Sequence, residues 1–316
     1  MEQVLATPAA GDLPELRTLV RREMAKVVVG YEEQVDLLLI VAVAGGHVLL
    51  EGPPGVGKTL MAAGLARVLG VQFRRVQFTP DTTPSDIVGS TVKKMGEPQF
   101  VPGAVFTNVL LADEINRTPP RTQAALLEAM QERHVTVNGR VHRLPSPFMV
   151  IATQNPFEQL GIYPLPESQL DRFLFKLELP YAGEAQEIDI LRLPHHGLTP
   201  DVIGELRSLF DLGSLSLAQS RLDAMEATEE ALALCVRIVR ASRAAEGVVL
   251  GASPRAAIHL LTAAKAHSAL QGRAVVEAAD VVEMAPAVLT HRLVVDGPTR
   301  ADIVSVSIEA ALRASA

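Results

Sequence analysis

Short runs dominated by apolar residues recur through the first half of the chain. Such runs lie at residues 47–51, 108–112, 148–153 and 173–179, and residues 71–78 alternate between apolar and polar side chains. Runs of this length, bounded by glycine, proline or polar residues, predict buried strands. Helix-forming segments separate them, and strands that alternate with helices predict an α/β fold with a parallel, five-stranded sheet.

Two further segments predict β-hairpins inserted between these strands. In the first, residues 88–94 and 99–105 flank a glycine-containing turn. In the second, residues 133–144 alternate on both sides of Asn138 and Gly139. Asn-Gly between alternating residues is the strongest short-range signal for a hairpin.

The second half of the chain has a different pattern, because strand-like runs give way to helical segments rich in alanine and leucine. The predicted helices cover residues 201–210, 217–225, 229–246, 254–271, 275–291 and 299–312. We therefore expect an α/β core with N-terminal helices at residues 1–180, a linker at residues 181–198 and an all-helical domain at residues 199–316.

Composition narrows the classes of function. The 316 residues carry a net charge of −7, which argues against constitutive non-specific binding of nucleic acid. The single cysteine, Cys235, excludes an internal disulfide and a multi-cysteine metal site. Neither a signal peptide nor a membrane span is evident, so we expect a cytoplasmic protein.

The segment between the first strand and the next helix reads G-x-x-x-x-G-K-T. Glycines at these positions let backbone N–H groups close around a polyphosphate, and the following helix directs its positive dipole end at the phosphates. Lys58 reaches the β and γ oxygens, and the Thr59 hydroxyl binds Mg²⁺. Just upstream, the apolar segment around Val29 and Gly30 is placed to hold an adenine base, although plain packing of the N-terminal helices explains it equally well. The predicted ATP-binding residues are Val29, Gly30, Gly52, Pro53, Pro54, Gly55, Val56, Gly57, Lys58, Thr59 and Leu60.

Acidic and amide residues end two of the other predicted strands. Asp113 and Glu114 follow an apolar run, the pattern of the second nucleotide motif, in which Asp113 holds Mg²⁺ and Glu114 polarises the attacking water. Asn155 follows the strand at residues 148–153 and is placed to orient that water.

One arginine of the helical region is also a candidate. Ser253 is a predicted N-cap and Pro254 the first helical residue, so Arg255 lies in the first helical turn. A cation there opposes the helix dipole, and a γ-phosphate would compensate it. The alternative is an ordinary surface arginine.

In combination these motifs resemble the AAA+ ATPases, and among them the MoxR family. The resemblance rests on Gly52–Thr59, on residues 110–117 and 123–132, and on the segments around Asn155 (sensor 1), Arg172 in Asp-Arg-Phe (arginine finger) and Arg255 (sensor 2). It runs from about Val28 to the C-terminus.

The resemblance implies a sheet of strand order 5-1-4-3-2, two hairpin inserts and an all-α lid. It also implies a homo-oligomeric ring, usually a hexamer, in which Arg172 acts in trans on the ATP of the neighbouring subunit. The implied activity is Mg²⁺-dependent ATP hydrolysis by a chaperone-like motor that matures protein or metalloenzyme complexes, often with a partner that carries a von Willebrand factor A domain. We expect hydrolysis to tilt the lid through Arg255 and to move the hairpins, around Phe100 and Asn138, against a protein client.

Two other functions stay open at this point. A nucleic-acid motor of helicase type shares the hairpin inserts and is disfavoured by the net charge. A scaffold that only binds nucleotide is disfavoured because Lys58, Thr59, Asp113, Glu114 and Asn155 are all present.

Overall fold

The structure is a computed structural model that describes residues 13–94, 97–157, 161–193, 195–196, 199–200, 203–297 and 299–314. The strands are β1 (Val48–Glu51), β2 (Phe73–Gln77), β3 (Gly89–Lys94), β4 (Glu97–Pro102), β5 (Val109–Asp113), β6 (His134–Val137), β7 (Arg140–Arg143), β8 (Met149–Gln154), β9 (Phe175–Glu178), β10 (His195–His196), β11 (Thr199–Pro200), β12 (Glu226–Ala227), β13 (Val248–Leu250), β14 (Val275–Val276) and β15 (Val294–Val295). The helices are α1 (Leu13–Met24), α2 (Glu32–Val43), α3 (Lys58–Val68), α4 (Pro84–Val88), α5 (Pro120–Glu132), α6 (Glu167–Leu170), α7 (Glu184–Leu191), α8 (Leu212–Asp223), α9 (Glu229–Ala244), α10 (Pro254–Leu270), α11 (Ala278–Leu289) and α12 (Arg300–Arg313). Short 3₁₀ turns lie at Ile115–Arg117, Ile203–Glu205 and Thr290–Arg292.

The central sheet has five strands in the order β2-β5-β8-β1-β9, and every neighbouring pair is parallel. Numbered within the sheet and read from β9, this is the expected order 5-1-4-3-2. The predicted fold class is confirmed. The three inner strands are almost fully buried, as a parallel sheet covered on both faces requires, whereas the edge strand β2 is largely exposed.

Side chains of the inner strands alternate between two hydrophobic clusters. Leu50, Leu111 and Ile151 point into one cluster, and their neighbours, such as Leu49 and Leu110, point into the other. The first cluster also takes in buried residues of α1–α3 and of α9–α12. The helical half of the chain is therefore packed against the sheet through a continuous core, and the domain boundaries drawn near residues 180 and 198 stay predictions.

Both hairpins are present. β3 and β4 pair in antiparallel register, as do β6 and β7. Asn138 and Gly139 adopt positive φ angles of 50° and 77°, the geometry of the type I′ turn that Asn-Gly favours. The tip of the first hairpin, at residues 95–96, lies outside the described residues. Phe100 stacks on His142 with ring centroids 3.7 Å apart, so the two hairpins are joined to each other.

Several local predictions need correction. The predicted helix at residues 201–210 is wrong over its described part, which has only the turn at Ile203–Glu205 before α8 begins at Leu212. The pair Thr118-Pro119 in sequence predicts an N-cap followed by the first helical residue, but the cap of α5 is Pro119, and the Thr118 hydroxyl donates instead to the carbonyl of Thr82. The helical region also contains short two-stranded ladders, β12–β14 and β13–β15, which tie helix ends together. Of the predicted linker at residues 181–198, residues 194 and 197–198 lie outside the described part of the chain.

The described helices were searched for one that is both long and apolar enough to cross a membrane, and none qualifies.

The continuous core predicts that the helical region and the sheet unfold together. Leu260 on α10 is fully buried in the cluster that spans both, so Leu260→Ala should lower the free energy of unfolding by about 2–5 kcal/mol. Chemical denaturation followed by circular dichroism should show one transition shifted as a whole. The matched control is Ile258→Ala on the same helix, whose side chain is 65% exposed and whose loss should shift the transition little. A biphasic curve with only one phase shifted would contradict the shared core.

Candidate functional site

The loop between β1 and α3 is shaped to hold an anion. Gly55 and Gly57 have φ angles of 86° and 83°, and a Cβ placed on either would meet nothing within 4 Å. Their backbone therefore faces open space that a ligand can approach closely. Gly57 is also the N-cap of α3, so the positive end of that helix dipole points to the same space. The Lys58 amine donates to the carbonyls of Gly52 and Pro53 at 2.6 and 2.7 Å.

This loop forms one wall of a cavity of about 510 Å³ at the carboxyl-terminal edge of the sheet. Its lining residues are Pro54, Gly55, Val56, Gly57, Lys58, Thr59, Leu60, Arg75, Gln77, Asp113, Glu114, Gln154, Asn155 and Ile203. The structure thus brings together the loop, both predicted acids and the predicted amide. Gly52 and Pro53 are not lining residues; they contribute the carbonyls that hold Lys58.

Thr153 organises the two acids from the neighbouring strand β8. Its hydroxyl donates to Asp113 Oδ1 at 2.6 Å and accepts from the backbone N–H of Glu114 at 2.8 Å. Thr153 is fully buried, so this one oxygen fixes the carboxylate of Asp113 and the backbone of Glu114 together.

Residues at the exposed edge of the sheet hold the same acids from the other side. Arg75 donates to Asp113 Oδ2 from Nε at 3.0 Å and from Nη2 at 2.7 Å. Its Nη2 also donates to the amide oxygen of Gln77, and the Gln77 amide nitrogen donates to Glu114 Oε2 at 2.6 Å. Arg117 pairs with the same Glu114 oxygen at 3.1 Å. A polar chain therefore connects the two carboxylates.

Sequence reasoning did not single out Arg75, Gln77 and Thr153. A signal was nevertheless present for two of them. Arg75 and Gln77 lie two residues apart on a strand that pairs with β5, so both project to the same face as residues near Asp113. Thr153, near the end of β8, gave no such signal, because threonine is common in strands of any kind.

Asn155 is where the motif predicts, at the end of β8 and on the wall of the cavity. It is largely buried, and its side-chain oxygen accepts from the backbone N–H of Phe157 at 3.1 Å. This bond within the loop after β8 fixes the orientation of the Asn155 side chain. Next to it, Gln154 hydrogen-bonds Glu51, the last residue of β1.

A second, apolar cavity of about 170 Å³ adjoins the loop and shares Gly55, Val56, Gly57 and Leu60 with the first. Val29 and Tyr31 line it, so the segment predicted to hold a base does lie beside the phosphate loop. Gly30 is not a lining residue: the side chain of Gln186 packs against it, and a Cβ there would come within 2.7 Å of Gln186 Cδ. The Tyr31 hydroxyl donates to the carbonyl of Pro180 at 2.6 Å. This bond attaches the segment around Val29 and Tyr31 to the chain just after β9.

The two predicted arginines lie elsewhere. Arg172 and Arg255 line a cavity of about 280 Å³ together with residues 45–47, which precede β1. Because the strands are parallel, the amino-terminal edge of the sheet is opposite to the edge that carries the phosphate loop. As far as the chain is described, the two cavities share no lining residue. Arg255 therefore does not line the cavity that holds the phosphate loop of its own subunit, and its expected role at a γ-phosphate stays a prediction.

Arg172 and Arg255 are held by polar partners at this edge. Arg172 donates from Nη1 to the carbonyl of Leu127 at 2.9 Å, and Arg255 Nη1 lies 3.6 Å from Asp171 Oδ2. His259, one turn after Arg255, also lines the cavity; burial, reinforced by the nearby charge of Arg292, lowers its pKa to about 4. It is therefore neutral at physiological pH.

The donor set at the carboxyl edge fits magnesium. The Thr59 hydroxyl and the Asp113 carboxylate line the same cavity and are hard oxygen ligands of the kind that Mg²⁺ prefers. The glycine loop beside them, with its unobstructed backbone, fits the phosphates that accompany this ion.

Comparison with known proteins gives a consistent result. A model of the AAA family, "ATPase family associated with various cellular activities", matches residues 47–175, and a model of the AAA lid domain matches residues 240–312. The chain is 43% identical over 314 residues to the chaperone MoxR1 of Mycobacterium tuberculosis, covering 95% of this chain and 82% of the relative. It is 33% identical over 294 residues to the protein MoxR of Methylorubrum extorquens, covering 86% and 85%. A crystal structure of a candidate ATPase from Cytophaga hutchinsonii superimposes with a TM-score of 0.85 at 34% identity, over 94% of each chain.

The double role of Thr153 can be tested by removing only its hydroxyl. Thr153→Val keeps the shape of the side chain but frees Asp113 Oδ1 and leaves the Glu114 N–H without its acceptor. We expect nucleotide hydrolysis to fall by about 10–100-fold, as for other residues that orient metal ligands. The dissociation constant of a fluorescent ADP analogue without Mg²⁺ should stay unchanged. Thr153→Ser, which retains the hydroxyl, is the matched control, and equal turnover in all three proteins would refute the role.

Proposed function

The chain belongs to the MoxR family of AAA+ ATPases, and from this premise we propose that it is a Mg²⁺-dependent ATPase that remodels or activates protein complexes as a chaperone. The observation that carries the proposal is the single cavity that holds the phosphate loop, Asp113, Glu114 and Asn155. A site that only binds nucleotide does not require an acid placed beside the metal ligand.

Each residue of the cavity has a distinct role in this proposal. The loop amides and Lys58 bind the phosphates, and the neighbouring apolar cavity takes the adenine base beside Val29. Thr59 and Asp113 hold Mg²⁺, which when bound supplies neutralising charge on the β and γ oxygens. Glu114 accepts a proton from the attacking water, and the Asn155 amide orients that water. Gln77 and Arg117 bind the Glu114 carboxylate and fix its position before the water attacks.

The site is completed by a second copy of the chain. Charge that develops on the transferring phosphoryl group needs cations beside it. Lys58 and Arg75 line the described cavity, but Arg75 is bound to Asp113, and no arginine of the helical region lies there. Arg172 and Arg255 both lie at the opposite edge of the sheet, where a neighbouring subunit can present its phosphate loop to them. A homo-oligomeric ring, a hexamer as in the wider family, repeats this contact around a closed circle. Both arginines then act in trans.

The client is a protein or a metalloenzyme complex, with a von Willebrand factor A domain protein as the expected partner. Phe100 is engaged by His142 and is less available than the sequence suggested. Val141, 61% exposed next to the Asn138–Gly139 turn, offers an apolar contact at the tip of the second hairpin. The relatives described above give no support to the helicase or scaffold alternatives.

Glu114→Gln tests the hydrolytic step. The amide keeps the size of the side chain but cannot accept the proton of water, so turnover should fall below detection while ATP still binds. Phosphate release and binding of a fluorescent ATP analogue measure the two properties. The Glu97→Gln variant, which changes an exposed glutamate of the first hairpin, is the control. Normal turnover in the Glu114 variant would remove this residue from its role as base.

Mixed assemblies test the trans arrangement. Arg172→Ala subunits have an intact phosphate loop and no finger, whereas Lys58→Ala subunits have a finger and a defective loop. Mixing the two inactive proteins should restore ATPase activity at interfaces that pair an intact loop with an intact finger. The same experiment with Arg255→Ala should give the same result. Mixtures that stay as inactive as their components would refute the shared site.

A further inference from the structure

The segment that carries Arg172 is tied to the helical region by one carboxylate. Asp171, the residue before Arg172, accepts at Oδ1 from Arg292 Nε at 2.9 Å and at Oδ2 from the Ser253 hydroxyl at 2.9 Å. Oδ2 also lies 3.6 Å from Arg255 Nη1. Ser253 is the N-cap of α10, the helix that begins with Pro254 and Arg255. Asp171 therefore contacts the start of the helix that bears one functional arginine and is covalently next to the other.

Arg292 holds this carboxylate from inside the protein. Only 1% of its side chain is exposed, and it lies in the turn that follows α11. Besides Asp171 Oδ1, its guanidinium donates to the carbonyls of Asp171 at 3.2 Å, Phe173 at 2.5 Å and Leu174 at 3.3 Å. It also donates to the carbonyl of Val288 and, at 2.5 Å, to His259 Nδ1.

Six acceptors surround the five N–H groups of Arg292, since Nη2, which carries two of them, lies within reach of three acceptors. A guanidinium has five N–H donors in one plane, and no other side chain presents such a set. Four of the acceptors belong to residues 171–174, and the others belong to α10 and α11. Burying a charge costs free energy unless the charge is paired and fully hydrogen-bonded. Even then, a buried salt bridge adds little net stability to the fold. The Arg292 guanidinium therefore joins residues 171–174, the segment that contains Arg172, to the helical region. No other side chain has enough N–H donors to make all of these bonds.

We propose that Asp171 and Arg292 form a clamp that holds Arg172 and Arg255 in a fixed relative position, and that Arg292 is a positioning residue for the reaction. The clamp fixes the distance between the two arginines, so a neighbouring nucleotide meets both at once. It also joins residues 171–174, which lead into β9 of the sheet, to the turn after α11. This inference rests on the proposed action of both arginines in trans.

The test uses Arg292→Lys and Asp171→Asn. Lysine keeps a positive charge but lacks the fork, and asparagine keeps the shape but weakens the ionic contact. Both variants should lose ATPase activity by on the order of 10-fold to 100-fold, because a displacement of about 1 Å in a catalytic group has an effect of that size. Nucleotide affinity should stay within about twofold of the parent, since the phosphate loop lies at the other edge of the sheet.

Complementation separates positioning from misfolding. If the clamp serves the trans arginines, its variants should regain activity when mixed with Lys58→Ala subunits and should gain none when mixed with Arg172→Ala subunits. A merely unfolded protein would regain activity with neither. Rescue by Arg172→Ala subunits, or undiminished activity of both clamp variants, would overturn the proposal.

Controls keep the outcomes distinct. Arg273 and Asp280 form another ion pair of the helical region, in which the Asp280 side chain is fully buried and Arg273 is partly exposed, so Arg273→Lys and Asp280→Asn make the same chemical changes as the clamp variants. These control variants should leave the ATPase activity of correctly folded protein unchanged. Thermal denaturation identifies any variant that fails to fold, and Asp171→Asn, on a partly exposed residue, is the milder change. Failure of Arg172→Ala to complement Lys58→Ala would reject the trans site itself, whereas success there without rescue of a folded clamp variant would reject only the clamp.

Discussion

All five strands of the sheet run in the same direction, and this polarity decides which residues can share a site. β1 has a neighbouring strand on each side. Residues 45–47 precede it and the phosphate loop follows it. At roughly 3.3 Å per residue, its four residues separate the two ends by about 13 Å. Acids and amides that follow strands gather at one edge, whereas Arg172, which precedes β9, and Arg255, at the start of α10, lie at the other. The chemistry of the molecule is thereby divided between two faces.

The parts of the site that follow from local rules were predictable from sequence. Gly55 and Gly57 need positive φ, Asp113 and Glu114 follow a buried run, and Asn138-Gly139 specifies its own turn. Each signal lies within one short segment. Arg255 was predicted correctly as a first-turn residue, but its position relative to the phosphate loop depends on how the helical region packs on the sheet, and local pattern contains no such information. The same holds for Thr153, whose role depends on a neighbour in another strand.

At the carboxyl edge of the sheet, Glu114 has a strained backbone conformation. Glu114 has a φ of 58°, an unfavourable left-handed conformation for a residue with a Cβ. Its N–H finds an acceptor in Thr153, and its carboxylate is bound by Gln77 and Arg117. These contacts offset the strain and turn the side chain away from the regular strand direction, into the cavity. The backbone bend thus directs two consecutive acids differently, as their proposed roles at the metal and at the water require.

At the amino edge, the charges of Asp171 and Arg292 are paired with each other inside the subunit. Asp171 is surrounded by cations, and Arg292 is enclosed by carbonyl oxygens and by a neutral histidine. Arrangements of this kind contribute little net stability compared with apolar packing, yet the same region is already joined by a continuous hydrophobic core. Stability alone therefore does not account for the buried arginine. The proposed action of Arg172 and Arg255 in trans would account for it, because both arginines would then have to be oriented together toward the phosphates of a neighbouring subunit. In that proposed arrangement each subunit contains all the groups for hydrolysis at two separate edges of its sheet, and assembly is the step that brings them together in one site.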